Sequence, residues 1–217
     1  MSGPHKTATG FGLGAGALCL DFANTAADRV ATEREEKLGS YRDLVNWSRA
    51  AGLLSAAQSA MLLKHLAAGD NRHAAVLRRA IELRETIYRI CSAIASGKGA
   101  EVKDLSTLNA AWLDAVAKMK VQRISGRYEL LIESIDIEYP IHRAVMSAME
   151  LLTKGPLERL RQCASETCDW LFLDQSRNQS RRWCDMQICG SRIKARRYYG
   201  KLRKNKSHPL RRGTAIK

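Results

Sequence analysis

Cys163-Ala-Ser-Glu-Thr-Cys168 is followed, after fifteen intervening residues, by Cys184-Asp-Met-Gln-Ile-Cys189, which runs directly into Gly190-Ser191-Arg192. The two matched Cys-x4-Cys pairs predict a structural zinc site. Zinc prefers four tetrahedral ligands, and two short knuckles, each giving two thiolates, let one chain reach all four corners. Four thiolates leave no position open for a reactive water, so the spacing also argues against catalysis at the metal.

The flanks of this cluster carry the charge. Between Gln175 and Lys217 there are 14 lysines and arginines against Asp185 alone, while everything before Gln175 sums to only +1 of the total +14. A field concentrated at one end points to a polyanionic partner there, with nucleic acid ahead of a membrane surface. The chain has 217 residues and is 45% hydrophobic, enough for a core that needs no disulfide framework. Cys19 and Cys91 sit in apolar contexts and read as reduced core residues. No apolar run reaches the roughly 18 residues a membrane helix needs, and a cytoplasmic, reducing location suits thiolate zinc.

Upstream, the pattern is helical. Residues 1–10 read as a frayed start, and Phe11 to Thr25 as a strand or turn leading into a helix. A charged linker follows at Thr32 to Lys37. Leu44, Val45 and Trp47 to Leu54 keep helical spacing up to a stop at Gly52. Ser55 and Gln58 form a capping box opening a helix to about Ala68. Leu77, Ile81, Arg84, Tyr88, Cys91 and Ala95 mark the buried face of a helix within Asn71 to Ser96, ended by Gly97 and Gly99. Another helix is expected over Asp104 to Lys118. The period then changes to two over Lys120–Ile124 and Arg127 onward, joined at Ser125-Gly126 as a hairpin. Pro140 opens a helix to about Thr153, and Gly155-Pro156 marks the domain boundary.

The fold class expected is therefore α+β: a mostly helical N-terminal domain with a small β-hairpin over 1–155, a four-cysteine finger over 156–204 ending in a basic helix, and a disordered basic tail over 205–217. Asp169 to Asp174 suits a hairpin strand against the metal site, with Trp170, Phe172 and Trp183 as its apolar layer. A module of about 55 residues cannot bury enough surface alone, whereas zinc supplies on the order of 10 kcal/mol. Gly190 is expected to make the tight turn near the sulfurs and Ser191 to cap the following helix. On that helix Ala195, Tyr198, Tyr199 and Leu202 form a face expected to pack on the finger. Arg192, Lys194, Arg196, Arg197, Lys201, Arg203 and Lys204 are left for phosphates or base edges, extended by Arg177, Arg181 and Arg182.

The segment from Cys163 to Arg192 closely resembles the CGNR zinc finger, with Ser191 where that motif has asparagine. Leu18-Cys-Leu20-Asp21-Phe22-Ala-Asn24-Thr25, Tyr41-x2-Leu44-Val45-x-Trp47 and the Leu77-Arg78 helix are similar to the ABATE domain of bacterial stress-induced transcription regulators. This resemblance implies one structural zinc and binding of double-stranded DNA by the finger. It leaves a homodimer and an unidentified small-molecule effector open as further partners, with the N-terminal domain sensing, dimerising or recruiting. The competing readings are a zinc-stabilised protein-interaction adaptor and an RNA-binding module.

Other residues read more plainly. Asp21 and Asn24 are expected to stabilise turns rather than line a pocket. The histidines at 5, 65, 73, 142 and 208 form no ligand pair in sequence and read as surface or satisfied residues, and Trp47 and Trp112 as core. A zinc deaminase would need His-x-Glu ahead of Pro-Cys-x-x-Cys, and a metal nuclease clustered acids or histidines. Neither is present near the finger, so no enzyme is expected.

Overall fold

The computed structural model describes residues 10–29, 35–64 and 71–206, with no side chains described at 197 or beyond 199. The frayed start up to residue 9, the first half of the charged linker, the expected end of the third helix near Ala68, the tail beyond 206 and the histidines at 5, 65 and 208 lie outside those residues.

A six-residue helix, α1 (Leu18–Ala23), forms the hub of the core. Cys19, Leu20, Phe22 and Ala23 are all buried, and the helix packs against both α4 (Asn71–Ala95) and α6 (Tyr139–Lys154). So short a helix has little intrinsic stability, and its form comes from the apolar surface closing over it. Asp21 fixes its entry: one carboxylate oxygen accepts the N–H groups of Gly14 and Ala15 at 2.9 and 2.8 Å. This is the turn-stabilising role expected of it.

The remaining helices lie where the sequence pattern places them, but the buried face of α4 runs through Val76, Ala80, Leu83, Ile87 and Ile90 with Arg84 and Cys91, one position from the expected Leu77, Ile81, Tyr88 and Ala95, which are half-buried. Helix α2 (Tyr41–Ala50) buries Tyr41, Leu44, Val45 and Trp47, with Ser40 accepting from the Asp43 N–H at its head. The capping box before α3 (Ala56–Lys64) is reciprocal: Ser55 N–H donates to Gln58 at 2.7 Å and Gln58 N–H to the Ser55 hydroxyl at 3.2 Å. Helix α5 (Val102–Val116) packs on α4 and α6, and Pro140 sits in the first turn of α6.

Among the described residues the strands form three antiparallel pairs. Strands β1 (Ala26–Ala27) and β2 (Glu35–Glu36) make a two-residue ladder. Strands β3 (Met119–Ile124) and β4 (Arg127–Ile132) pair from Met119–Ile132 to Ile124–Arg127. Ser125 and Gly126 turn the chain at φ of 49° and 84°, the primed geometry that suits the strand twist. Strands β5 (Leu160–Gln162) and β6 (Leu171–Leu173) pair from Leu160–Leu173 to Gln162–Leu171.

The third pair changes how the chain is put together. Leu160, Leu171, Phe172 and Leu173 belong to the same hydrophobic core as Leu20, Phe22, Trp47 and Ile87, and β5 lies against α4. Phe172 is thus a residue of the main core, not part of a separate layer on the finger. At the outer edge of β6, Asn24 stands in for a missing strand: its amide donates to the Leu171 carbonyl at 2.8 Å and accepts the Leu171 N–H at 2.9 Å. Ser92 and Tyr88 of α4 hold Gln162 of β5 at 3.0 and 2.9 Å.

Two histidines depart from expectation. His73 is buried with its ring 4.7 Å from Tyr41, and His142 is buried on α6; neither ring has a hydrogen-bond partner among the described residues. Burial lowers the His142 pKa from its ordinary 6.5, partly opposed by Asp136 and Glu138. The unfolded chain therefore takes up the proton first, and stability present above about pH 6.5 is lost as pH falls. The unfolding free energy from urea titration should drop between pH 7.5 and 5.5, by no more than about 1.4 kcal/mol per pH unit, and His142→Leu should flatten that dependence.

Candidate metal centre and basic surface

Cys163 follows β5, Cys168 precedes β6, and Cys184 and Cys189 come from the segment after β6. Their four ligand atoms all lie within 4.8 Å of one another. The Sγ atoms of Cys168 and Cys184 are 3.6 Å apart, and those of Cys184 and Cys189 3.7 Å. A zinc tetrahedron with bonds of about 2.3 Å has an edge of about 3.8 Å, whereas a disulfide would require about 2.05 Å. The donor set fits zinc in number, chemistry and spacing. Crowding also favours ionisation at one corner: thiols of Cys168 and Cys184 hydrogen-bonding to Cys163 lower its pKa to about 7, while Cys168 and Cys184 are pushed up as hydrogen bonding within the cluster holds their protons. A bound cation would stabilise all four as thiolates.

The knuckles are held by backbone geometry. Cys163 N–H donates to the Trp170 carbonyl at 2.8 Å, Cys168 N–H to Ser165 at 3.1 Å, and Cys189 N–H to Asp185 at 3.0 Å. Ala27, Trp170 and Trp183 wall the cluster, so the N-terminal part contributes directly to the metal environment. Gly12 lies close against Trp170: a Cβ there would come within 2.0 Å of the indole ring.

Two expectations about local structure are corrected. Met186–Gly190 forms a single wide helical turn whose cap is Asp185, its carboxylate accepting the Ile188 N–H at 2.8 Å. Ser191 already has helical dihedrals and opens α7 (Ser191–Lys206) without capping it. The one acid of the basic segment is thus spent on the helix start. Gly190 makes no left-handed turn; a Cβ there would meet Met186 Sδ at 2.7 Å, near the end of an exposed, flexible side chain that can move aside.

The third correction concerns the face of α7. Ala195, Tyr198 and Tyr199 do not pack on the finger. Tyr198 and Tyr199 are 60% and 64% exposed, touching each other edge to face at 5.6 Å. Over the described side chains of the helix only Ile193 is half-buried and the rest are exposed, while the side chain of Leu202, the fourth residue of the expected face, lies outside the described residues. Arg192, Lys194 and Arg196 are exposed on it, with Arg196 paired to Glu166 of the first knuckle. Arg197, Lys201, Arg203 and Lys204 lie on the same helix, their side chains outside the described residues.

Of the three arginines before the second pair, Arg177 and Arg182 are exposed. Arg181 is not available in the same way. Its guanidinium lies 4.6 Å over Phe172 and donates to the carbonyls of Trp183, at 2.9 Å, and Cys184. Its N–H is held by Asp174 at 2.8 Å, whose other oxygen accepts from Ser176. The Ser176 hydroxyl and these N–H groups keep the buried Asp174 carboxyl below its usual range.

The comparisons with known proteins agree with this geometry. Residues 159–201 match the CGNR zinc finger. Residues 16–155, nearly two thirds of the chain, match the ABATE model, described as "Putative stress-induced transcription regulator". The chain belongs to the ABATE family. No curated protein matches it. As an ABATE protein with a CGNR finger, it carries one structural zinc at the sulfur cluster. Neither matching family is described as an enzyme, and no helix among the described residues is long and apolar enough to cross a membrane.

Sequence reading missed a buried ionic network behind the first knuckle. Arg29 pairs with Glu85 at 2.8 Å and with Asp169 at 3.2 Å, next to Cys168, and stacks 3.7 Å from the Tyr88 ring. Asp169 also accepts the N–H groups of Asp28 and Arg29, each at 3.1 Å. Arg84, fully buried, holds Glu36 through both guanidinium nitrogens at 2.5 and 2.7 Å and donates to Glu85 at 2.9 Å.

Proposed function

We propose that this ABATE protein is a cytoplasmic transcription regulator that binds double-stranded DNA through its zinc finger and α7, with Cys163, Cys168, Cys184 and Cys189 as the zinc ligands. Residues 1–155 form the regulatory part, 156–204 the DNA-binding part, and 205–217 a basic arm. One observation carries the reading: the last cysteine knuckle fixes the start of a helix with eight lysines and arginines in sixteen residues and no acid, whose described cations Arg192, Lys194 and Arg196 are exposed. A surface kept merely soluble mixes charges, whereas this one presents a single sign.

The zinc has a folding role, holding the two knuckles so that α7 leaves in a set direction. Arg177, Arg182, Arg192 and Lys194 offer cations to phosphate, and Arg196 can join them by exchanging Glu166 for it. With about five phosphates neutralised, the log–log salt slope of duplex affinity should be roughly −4.5, and Arg192→Ala should make it shallower by about one. Fluorescence anisotropy on a labelled duplex measures both. No duplex affinity at low salt would sink the proposal and favour an acidic protein partner; tighter binding to a single RNA strand would favour the RNA reading.

A further inference from the structure

We propose that the β3–β4 hairpin is an arm through which two copies of this chain pair, β4 against β4, in an antiparallel register centred on Leu130. Every residue from 120 to 130 is exposed, with Val121 67%, Tyr128 75% and Leu130 54% accessible. Val121 stands opposite Leu130, and Tyr128 opposite Arg123. The period of two puts Val121, Arg123, Tyr128, Leu130 and Ile132 on one face. A two-stranded hairpin is marginal in water unless something covers it or extends it, and among the described residues neither edge is paired.

The ladder decides which groups are free. With a two-residue turn, Ile124–Arg127, Gln122–Glu129 and Lys120–Leu131 are the hydrogen-bonded pairs, and the series continues in Glu133 N–H to the Lys118 carbonyl at 2.9 Å. Tyr128, Leu130 and Ile132 consequently aim their N–H and C=O groups outward. By the same alternation the outward residues of β3 are Met119, Val121 and Arg123, so that edge carries a cation, a usual protection against pairing, whereas the outward residues of β4, Tyr128, Leu130 and Ile132, carry no charge.

Charge selects a second copy as occupant. Centring the antiparallel register on Leu130 sets Leu130 against itself, Tyr128 against Ile132 and Arg127 against Glu133 of the second copy. The two-fold axis repeats each contact, as an isologous interface requires. Residues 128, 130 and 132 then meet their counterparts with every outward N–H facing a carbonyl, and the apolar faces join into one four-stranded sheet. Glu133, already beside Lys120 in its own hairpin, would lie between two cations. Shifting the register two residues toward the turn would oppose Arg127 to Glu129 but would put Gly126 against Leu130 and leave Ile132 unpaired.

Sedimentation equilibrium on the zinc-loaded full chain tests this. The wild type should be dimeric at about 100 µM chain. Arg127→Glu and Glu133→Arg should each weaken the dimer about tenfold, because two pairs become repulsive, and the double exchange should restore it to within a few-fold. Leu130→Pro removes an outward N–H while sparing the hairpin's own hydrogen bonds and should leave a monomer with unchanged zinc content. A monomeric wild type, or a double exchange no tighter than either single variant, would overturn the proposal; rescue by Glu129→Arg instead of Glu133→Arg would overturn the register.

Discussion

Stripping the metal with a chelator, or replacing Cys189 with serine, is expected to abolish duplex binding while leaving most of the helical body folded. Zinc analysis of the native protein should give one ion per chain, falling toward zero in Cys189→Ser. The binding loss follows from position: Cys189 lies in the turn that becomes α7, so releasing it frees the helix from the first knuckle. The survival of the body follows from packing. Phe172 and Leu171 are buried in the main core, and Asn24 holds the edge of β6 without help from any sulfur.

Zinc binding is worth on the order of 10 kcal/mol, as large as the whole stability of many domains, so where that energy acts is measurable. In hydrogen exchange, chelation should remove protection between residues 174 and 190 while amides of α4 and α6 stay slow. Phe172→Ala should do the reverse, lowering global stability by about 3–5 kcal/mol with the metal still bound. If chelation instead unfolded α4 and α6 in one transition, the shared core would be subordinate to the metal, as in small fingers that fold only when loaded.

Local signals in the sequence were readable because their physics is local. The capping box of Ser55 and Gln58 and the Ser125-Gly126 hairpin each depend on residues three or fewer positions apart, and the Cys-x4-Cys pairs on ligand stereochemistry. The tie between Asn24 and Leu171 spans 147 positions and leaves no periodic trace. An amide beside an apolar run fits a turn cap equally well. The stripe of Ala195, Tyr198 and Tyr199 misled for another reason: amphipathic spacing shows which residues share a face, not whether the fold supplies anything to cover it. Here nothing described covers it, which leaves the tyrosines beside the cations of α7.

The buried arginine of α4 is the sharpest case of a residue whose role only tertiary structure reveals, and its removal should have the second large effect. Arg84→Met is expected to cost about 1.5–3 kcal/mol in urea unfolding, since it removes a fully buried guanidinium whose charge-assisted hydrogen bonds tie Glu36 and Glu85 to one side chain. Glu36 would lose its bidentate partner, and Glu85 one of its two guanidinium neighbours while keeping Arg29. Methionine fills much of the volume, so a cavity accounts for little of the loss. Because Glu36 is still one-third exposed and also accepts the Leu38 N–H, neutralising it should relieve the strain: Arg84→Met with Glu36→Gln should lose less than the sum of the two single changes, by about 0.5–3 kcal/mol. Strict additivity would show that Arg84 acts by packing alone. Zinc content at saturating metal should stay at one per chain, since Asp169 is held through Arg29 and not through Arg84, and that separates a weakened body from a damaged finger.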